Sequence, residues 1–474
     1  MTDRRYPRRT ILRTTGTVLG GTSLSGLTSA QTGRRFRRQS AGDTTRFIVD
    51  TRDGLDQDIT DTDLEVIHSL EQIDLLAVRG SESDVRRLSA PYVQDIEITR
   101  SRSATQTVPR QIAENESELE TLYPFQWDKR EMDIPAVHEL TEGAGTRVAV
   151  IDSGVQADHP DLARAVDTER SRNLTDDGYS AGAAYGGAMP AHGTGVAGVI
   201  AADPSAGGLV GTAPETEIID CRVFPVNGGA STGDYLAAIV YSADIGCDIA
   251  NLSLGLGIGA DDRQRIVNRF DTARVAQYAD EAGMLLTVAA GNNAIDLRRF
   301  PNITFLNRRN VIVVSATGPI GFAWPSDEPD GVADLEDTME LESPVTEPAP
   351  YSNYGEGIIN VSAPGGNYDS VARRDNVPGW HRDMLPHCTT DVQRDETGEF
   401  QFSNRYDWNR GTSLAAPQVA GVAALVKSVD PSLTPAEIRR TIEEAAVDVR
   451  GNDTDPFHGS GFLDPVAAVE AVRE

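Results

Sequence analysis

Lysine is nearly absent from this chain. Of its 43 basic residues only Lys129 and Lys427 are lysines, and the rest are arginine. Cysteine is as scarce. Cys221, Cys247 and Cys388 are an odd set, without the even count of a disulfide framework or the paired spacing of a zinc site. Cys221 and Cys247 lie in apolar, strand-like runs and read as core thiols. No apolar run approaches the ~18–20 residues of a membrane-spanning helix, so no membrane anchor is expected. Positive charge is short overall: the 474 residues carry a formal net charge of −29. The first 46 residues hold ten arginines against Asp3 and Asp43, so the remainder is more acidic still. Such a body repels phosphate backbones, and nucleic acid is not an expected partner.

What is present describes a folded, exported protein. Hydrophobic residues make up 39% of the chain, enough to bury a core. The acidic, lysine-poor balance resembles that of proteins from salt-loving organisms. Near 1 M salt the Debye length falls to about 3 Å, which screens a self-repulsion that dilute buffer leaves standing. Arg8-Arg9-Thr10-Ile11-Leu12-Arg13 precedes a weakly apolar stretch, Val18 to Leu27, and the small residues Thr28-Ser29-Ala30. This reads as a Tat-type signal peptide over residues 1–30 and implies secretion of an already folded chain.

Residues 46–99 read as a small α+β unit. Arg46–Thr51, Asp74–Arg79 and Val93–Ile98 carry strand patterns. Asp63–Leu70 and Glu82–Leu88 carry helical ones, the second with Ser81 as N-cap. A unit of about 54 residues is marginal for independent stability. Residues 100–121 are polar and suit an exposed, cleavable linker. From residue 122 onward, apolar runs at 147–151, 217–223, 248–252, 284–290, 311–315 and 358–362 alternate with helical patterns. The helical patterns fall at 193–202, 233–246, 263–283, 412–429, 434–446 and 465–473. Near-continuous apolar strands separated by helices predict a doubly wound, mostly parallel α/β sheet flanked by helices. Functional residues should lie at the carboxyl ends of its strands. Residues 322–350, with nine acids and no base, and the polar stretch 366–410 read as surface insertions.

Four residues stand at element junctions beside glycines. Asp152 follows the run RVAVI, His192 opens HGTGVAGVIAA, Asn292 follows MLLTVAA, and Ser413 starts an apolar helical pattern. A serine hydroxyl becomes a useful nucleophile only when a base takes its proton. A neutral imidazole does that, and a carboxylate fixes the imidazole's tautomer. A helix N-terminus and a side-chain amide suit a developing oxyanion. Asp, His, Ser is one of the recorded chain orders for this triad. A second pattern, Gly229-Ala230-Ser231-Thr232-Gly233, fits the G-x-S-x-G nucleophile elbow, but a loop precedes it rather than a strand. Among the seven histidines only His192 has a catalytic context, and His159 reads as structural.

Three segments carry a family resemblance. Asp152-Ser153-Gly154, with His159-Pro160-Asp161-Leu162 just downstream, is the first. His192-Gly193-Thr194 with Val196-Ala197-Gly198 is the second, and Gly411-Thr412-Ser413-Leu414-Ala415-Ala416-Pro417 the third. They resemble the motifs of the subtilisin-like serine proteases, the subtilases, over roughly residues 124–474 minus the two insertions. The acidic composition makes the resemblance haloarchaeal and halolysin-like. The resemblance implies Asp152, His192 and Ser413 as the triad and Asn292 as an oxyanion donor. It implies substrate contacts at Ser231, Thr232 and Gly233, which match an edge strand that pairs with extended peptide. Further contacts are implied at Ser253, Leu254, Gly255, Ala290 and Gly291, beside the cleaved bond. Residues 46–99 resemble the inhibitory propeptide that is cut away after folding. Gly195 stands where the family's His motif frequently has a second histidine.

No cofactor is implied for the chemistry. A structural Ca2+ is implied at Asp161 and the loop Asp203–Leu209, although Ser205 stands where an asparagine ligand is common. The expected protein is a secreted, monomeric serine endopeptidase that acts on peptide substrates through an acyl-enzyme. Its own propeptide is its other partner. The rival reading is a catalytically silent binding protein on the same fold.

Overall fold

The computed structural model describes residues 45–95, 97–98, 122–185, 191–254, 272–300, 304–321, 344–375, 380–449 and 455–473. The Tat-type signal, the 100–121 linker, Gly255 and most of the acidic stretch at 322–350 lie outside the described residues.

Four antiparallel strands open the chain: β1 (Thr45–Asp50), β2 (Glu65–Leu70), β3 (Leu75–Gly80) and β4 (Tyr92–Gln94), in the order β2-β3-β1-β4. Helix α1 (Glu82–Arg87) starts at Ser81, whose Oγ accepts from Asp84 N at 3.1 Å. The strand β1 is apolar on both faces for a reason. Phe47 and Val49 pack with Val78, Val85 and Leu88, while Ile48 joins Leu70, Ile73 and Leu75 in the core of the larger domain. A sheet this small gains its second covered face from its neighbour. The helix expected over Asp63–Leu70 is the strand β2 instead. Its β-branched Val66 and Ile67 suit a pleat. A register shift between Val66 and His68 breaks the alternation that marks a strand in sequence.

The larger sheet contains β6 (Arg147–Asp152), β7 (Arg172–Asn173), β8 (Glu217–Arg222), β10 (Ile249–Leu252), β11 (Leu285–Ala289), β12 (Val311–Thr317) and β13 (Val361–Pro364). Their order is β13-β12-β11-β10-β6-β8-β7, and every pairing is parallel. Its helices are α2 (Trp127–Glu131), α3 (Ile134–His138), α4 (His192–Ala201), α5 (Thr232–Asp244), α6 (Thr272–Glu281), α7 (Ser370–Arg374), α8 (Thr412–Val429), α9 (Pro435–Ala445) and α10 (Pro465–Glu470). This is the expected doubly wound α/β architecture. From β6 the chain runs to β7 at the sheet's edge, returns through β8 beside β6, and then crosses to β10 on the other side of β6. The carboxyl ends of β6 and β10 therefore flank the switch point where such sheets place their sites. Among the described residues only α8 is long and apolar enough to span a membrane, and it is buried in the core.

Two expectations need correction here. The stretch Val93–Ile98 is not one strand: β4 ends at Gln94, and β5 (Glu97–Ile98) leaves the small sheet to pair antiparallel with β9 (Ala230–Ser231). The stretch 366–410 is not merely a surface insertion. It contains a ten-residue-per-strand hairpin, β14 (Leu385–Arg394) and β15 (Phe400–Asn409). Leu385, Cys388 and Trp408 at its base are buried with Trp127, Val199 and Leu414. Its polar, alternating outer half hid this inner half from a composition count.

Candidate active site

Strand β6 delivers Asp152 to the switch point, fully buried. Helix α4 starts at His192. The two approach closely because Gly193 has no side chain: a Cβ there would lie 2.6 Å from Gly154 O and 3.1 Å from Asp152 Cβ. His192 Nδ1 sits 2.8 and 2.9 Å from the two Asp152 carboxylate oxygens. Facing a carboxylate, Nδ1 carries the proton and donates it, which leaves Nε2 as the basic nitrogen. Ser153 N donates to Asp152 Oδ1 at 2.6 Å, and Gly193 N donates to Ser153 Oγ at 3.1 Å. The acid's loop and the histidine's helix are thus stitched together.

Ser413 lies in the first turn of α8. Pro417, four residues on, has no N–H to give the Ser413 carbonyl. That carbonyl accepts Ser253 Oγ instead, at 2.9 Å, and Ser253 Oγ accepts from Asn251 Nδ2 at 2.8 Å. The helix bearing Ser413 is therefore tied to the end of β10. Asn292 turns its Oδ1 to Thr412 N (2.9 Å) and Thr412 Oγ1 (3.0 Å). Its Nδ2 then points the other way. A Cβ on Gly411 would lie 3.0 Å from Ser413 Oγ and 3.3 Å from Asn292 Nδ2. Hydroxyl and amide thus share the small space that the missing side chain leaves open.

The other expected contacts are mixed. Thr232 and Gly233 are buried in the first turn of α5, just after β9. Ser231 Oγ accepts from Asp234 N at 3.1 Å and caps that helix. This is not the geometry of a nucleophile elbow. Backbone pairing of Glu97 with Ser231 and Ile98 with Ala230 fills part of this edge with the chain's own β5. Leu254 and Ala290 are buried, and Gly291 N donates to Thr412 Oγ1 at 3.0 Å.

Two residues were missed from the sequence. Asn353 clamps the Asn292 loop: its Oδ1 accepts from Asn293 N and Ile295 N, both at 3.0 Å, and its Nδ2 donates to Ala290 O at 2.8 Å. Its only signal was a short polar cluster, Ser352-Asn353, ahead of Tyr354-Gly355. Asp220 is fully buried on β8, beside Val150. It accepts from Gly182 N at 2.8 Å, and burial pushes its carboxyl up to about 7. An acid inside the apolar run EIIDCRV was the available signal.

His159 is structural, as expected: Nε2 donates to Arg405 O (3.2 Å) and Nδ1 accepts from Asp161 N (3.3 Å). The surroundings of Asp161 do not suit a hard cation. Tyr406 Oη donates to its Oδ1 at 2.7 Å and Leu209 N to its Oδ2 at 2.8 Å. Cys221, Cys247 and Cys388 are buried free thiols.

Comparisons with known proteins agree with this architecture. The family model described as "Subtilase family" matches residues 143–462. Fervidolysin from Fervidobacterium pennivorans is 31% identical over 343 residues, covering 70% of this chain and 42% of that protein. A thermophilic serine proteinase from Bacillus sp. (strain AK1) is 31% identical over 318 residues, covering 67% of this chain and 60% of the relative. The chain thus spans about half the length of these two relatives. The structure of the epidermin leader peptide processing serine protease from Staphylococcus aureus superposes with a TM-score of 0.62. It is 18% identical and covers 91% of this chain and 99% of its own.

Proposed function

The chain belongs to the subtilase family and carries its serine-type endopeptidase domain, and from that premise we propose an exported enzyme that cleaves peptide bonds with Asp152, His192 and Ser413. The observation that carries this reading is the His192–Asp152 pair, with Nδ1 held by both carboxylate oxygens. The shared space of Ser413 Oγ and Asn292 Nδ2 at Gly411 supports it.

A peptide adds as a strand along Ser231, Thr232 and Gly233, with Ser253, Leu254, Gly255, Ala290 and Gly291 around the residue before the cleaved bond. Ser413 Oγ attacks the carbonyl while His192 Nε2 takes its proton. Asp152 steadies the imidazolium, and Asn292 Nδ2 with Ser413 N–H bears the oxyanion. His192 then protonates the leaving amine. Water repeats the sequence and frees the acyl group from Ser413.

Residues 46–99 act as the inhibitory propeptide, and the pairing of β5 with β9 is what a product-like inhibitor strand would make. Tat export from residues 1–30, a monomeric state and a need for high salt complete the proposal.

The test is a fluorophosphonate probe on the mature enzyme in high salt, with casein as substrate. Labelling at Ser413 and casein hydrolysis are expected. Ser413→Ala should abolish both and leave the precursor uncut; processing by that variant alone overturns the proposal. Asn292→Ala should lower kcat by about 10²–10³, a magnitude taken from subtilisin, a member of this family. N-terminal sequencing of the secreted protein reads both cleavage sites directly.

A further inference from the structure

Two consecutive cross-strand pairs of the hairpin β14–β15 lie against α4 and Asp161. Cys388 faces Tyr406, and His387 faces Asp407. Cys388, Tyr406 and His387 lie against the elements that carry His192 and Asp161. Tyr406 Oη donates to Asp161 Oδ1 at 2.7 Å, Cys388 Sγ donates to Asp161 Oδ2 at 3.5 Å, and His159 packs edge-on against the Tyr406 ring, 5.3 Å between centroids. Asp161 is completely buried.

Oxygens of Asp161 and of the neighbouring loop already accept hydrogen bonds from the protein. Asp161 Oδ2 accepts from Leu209 N at 2.8 Å. Gly208 O accepts from Leu122 N at 2.9 Å, and Val210 O from Gln126 Nε2 at 2.9 Å. The Asp203 carboxylate faces the Arg164 guanidinium at 2.8 Å, so a cation is already present as a side chain. The tyrosine hydroxyl occupies the approach itself: a Cβ on Gly208 would lie 2.2 Å from Tyr406 Oη and 2.3 Å from Asp161 Oδ1. Hard cations demand six to eight converging oxygens free of competing donors. A softer ion fares no better. His159 has both ring nitrogens engaged, and Cys388 Sγ is turned to Asp161 Oδ2 as a donor at 3.5 Å.

The second pair reaches the catalytic helix. A Cβ on Gly195 would lie 2.5 Å from His387 Cδ2, and one on Gly198 would lie 2.7 Å from Cys388 Sγ. His387 Nδ1 donates to Asp407 O at 2.8 Å, which fixes its ring in that slot. An imidazole from the hairpin thus fills the space above Gly195, where α4 carries no side chain of its own.

We infer that the hairpin β14–β15 takes the place of a bound divalent cation beside Asp161, and that Tyr406 and His387 are positioning residues which brace the helix carrying His192. The bracing clause rests on the proposed triad. The metal clause does not, and its test reads no activity.

For the metal clause, the Ser413→Ala precursor is dialysed against excess EDTA in high salt, then assayed for calcium and zinc and melted with and without CaCl2. We expect no equivalent of either metal that depends on Asp161, and a melting temperature unmoved by chelator. Tyr406→Phe should lower the melting temperature by about 3–6 °C, with no rescue by CaCl2. One equivalent of calcium or zinc that disappears in Asp161→Asn overturns the inference. Metal that persists in Asp161→Asn sits elsewhere and leaves it standing. Should Asp161→Asn not fold, Tyr406→Phe decides alone: an unchanged melting temperature, or its restoration by calcium, overturns it. For the bracing clause, Gly195→Ala in the active enzyme should lower kcat per titrated active site about tenfold with KM unchanged. Adding His387→Ala should restore only part of the loss, because it relieves the clash and removes the brace together. A double variant no better than the single overturns the bracing role and leaves the metal clause intact.

Discussion

Two buried polar nodes hold this molecule together, and they differ in what they join. The first lies inside the large domain. Lys129, with no exposed surface, donates from Nζ to Val199 O (3.0 Å), Thr212 Oγ1 (2.6 Å) and Gln418 Oε1 (2.6 Å). Gln418 Nε2 in turn donates to Asp128 Oδ2 at 2.7 Å. All three ammonium protons are used, and α2, α4 and α8 are locked together. The second node lies between the small sheet and α5. Arg46 reaches Asp234 at 2.5 and 3.2 Å and Asp95 at 3.2 Å, and His68 Nε2 meets Asp234 at 2.8 Å. Here Arg46 and His68 keep 18% and 15% of their side-chain surface in solvent. A closed node suits a joint that never opens. A rim-exposed node built from titratable groups suits a joint whose strength follows pH.

The contrast breaks first at Lys129. Lys129→Met leaves Asp128 without its cation in the interior, and removing one partner of a buried pair costs about 3–5 kcal/mol. Thermal melting of the Ser413→Ala precursor should show that loss in the large domain. A loss below about 1 kcal/mol would mean that the enclosed node is no firmer than the exposed one.

The joint is probed at Asp95. Burial is the largest influence on it, outweighs the nearby Arg46, and pushes its carboxyl up to about 6. The sign follows from linkage. A carboxyl raised in the docked state favours docking fully below its unfolded value, near 4, and that contribution is lost as pH rises through about 6. Asp95→Asn removes the charge at every pH. Docking of residues 45–98 should therefore strengthen by about 1–3 kcal/mol at pH 8 and hardly change at pH 4. Protease susceptibility of the small domain in the uncut precursor reads this, and equal susceptibility of variant and parent at pH 8 would contradict it. Asp234 works against the trend: its carboxyl is held low by His68 and Arg46 despite its burial, so its share of docking fails only in more acidic solution.

The same contrast marks what the sequence made legible. The large sheet was readable because both its faces are buried, so its strands are unbroken apolar runs. Asp152, His192, Asn292 and Ser413 were readable because glycine-rich junctions surround them. What escaped was set by tertiary partners. The strand β2 is a strand because β3 pairs with it across a bulge. The hairpin is half core because Cys388 and Trp408 find α4 and Phe125, which no local pattern announces. Asn353 acts on a loop some sixty residues earlier in the chain. Lys129 was visible as one of two lysines, but nothing local said that three carbonyl and hydroxyl groups awaited it.

Salt should separate the two nodes by the smallest margin and with an unexpected sign. Counting ion pairs suggests that salt loosens the joint. The charges on either side argue otherwise. Residues 45–98 carry thirteen acids against five arginines, and the rest of the chain is acidic too. Two negative bodies repel over distances that salt screens efficiently, whereas the Arg46–Asp234 contact is short and partly buried and is screened much less. Raising NaCl from about 0.1 M, where the Debye length is roughly 10 Å, to about 1 M, where it is roughly 3 Å, should thus tighten docking by about 1 kcal/mol or less. The enclosed Lys129 node should not respond, so Lys129→Met should carry the same penalty at both salt concentrations. Protease release of residues 45–98 that speeds up with salt would show that the short pairs, and not the long-range repulsion, govern the joint.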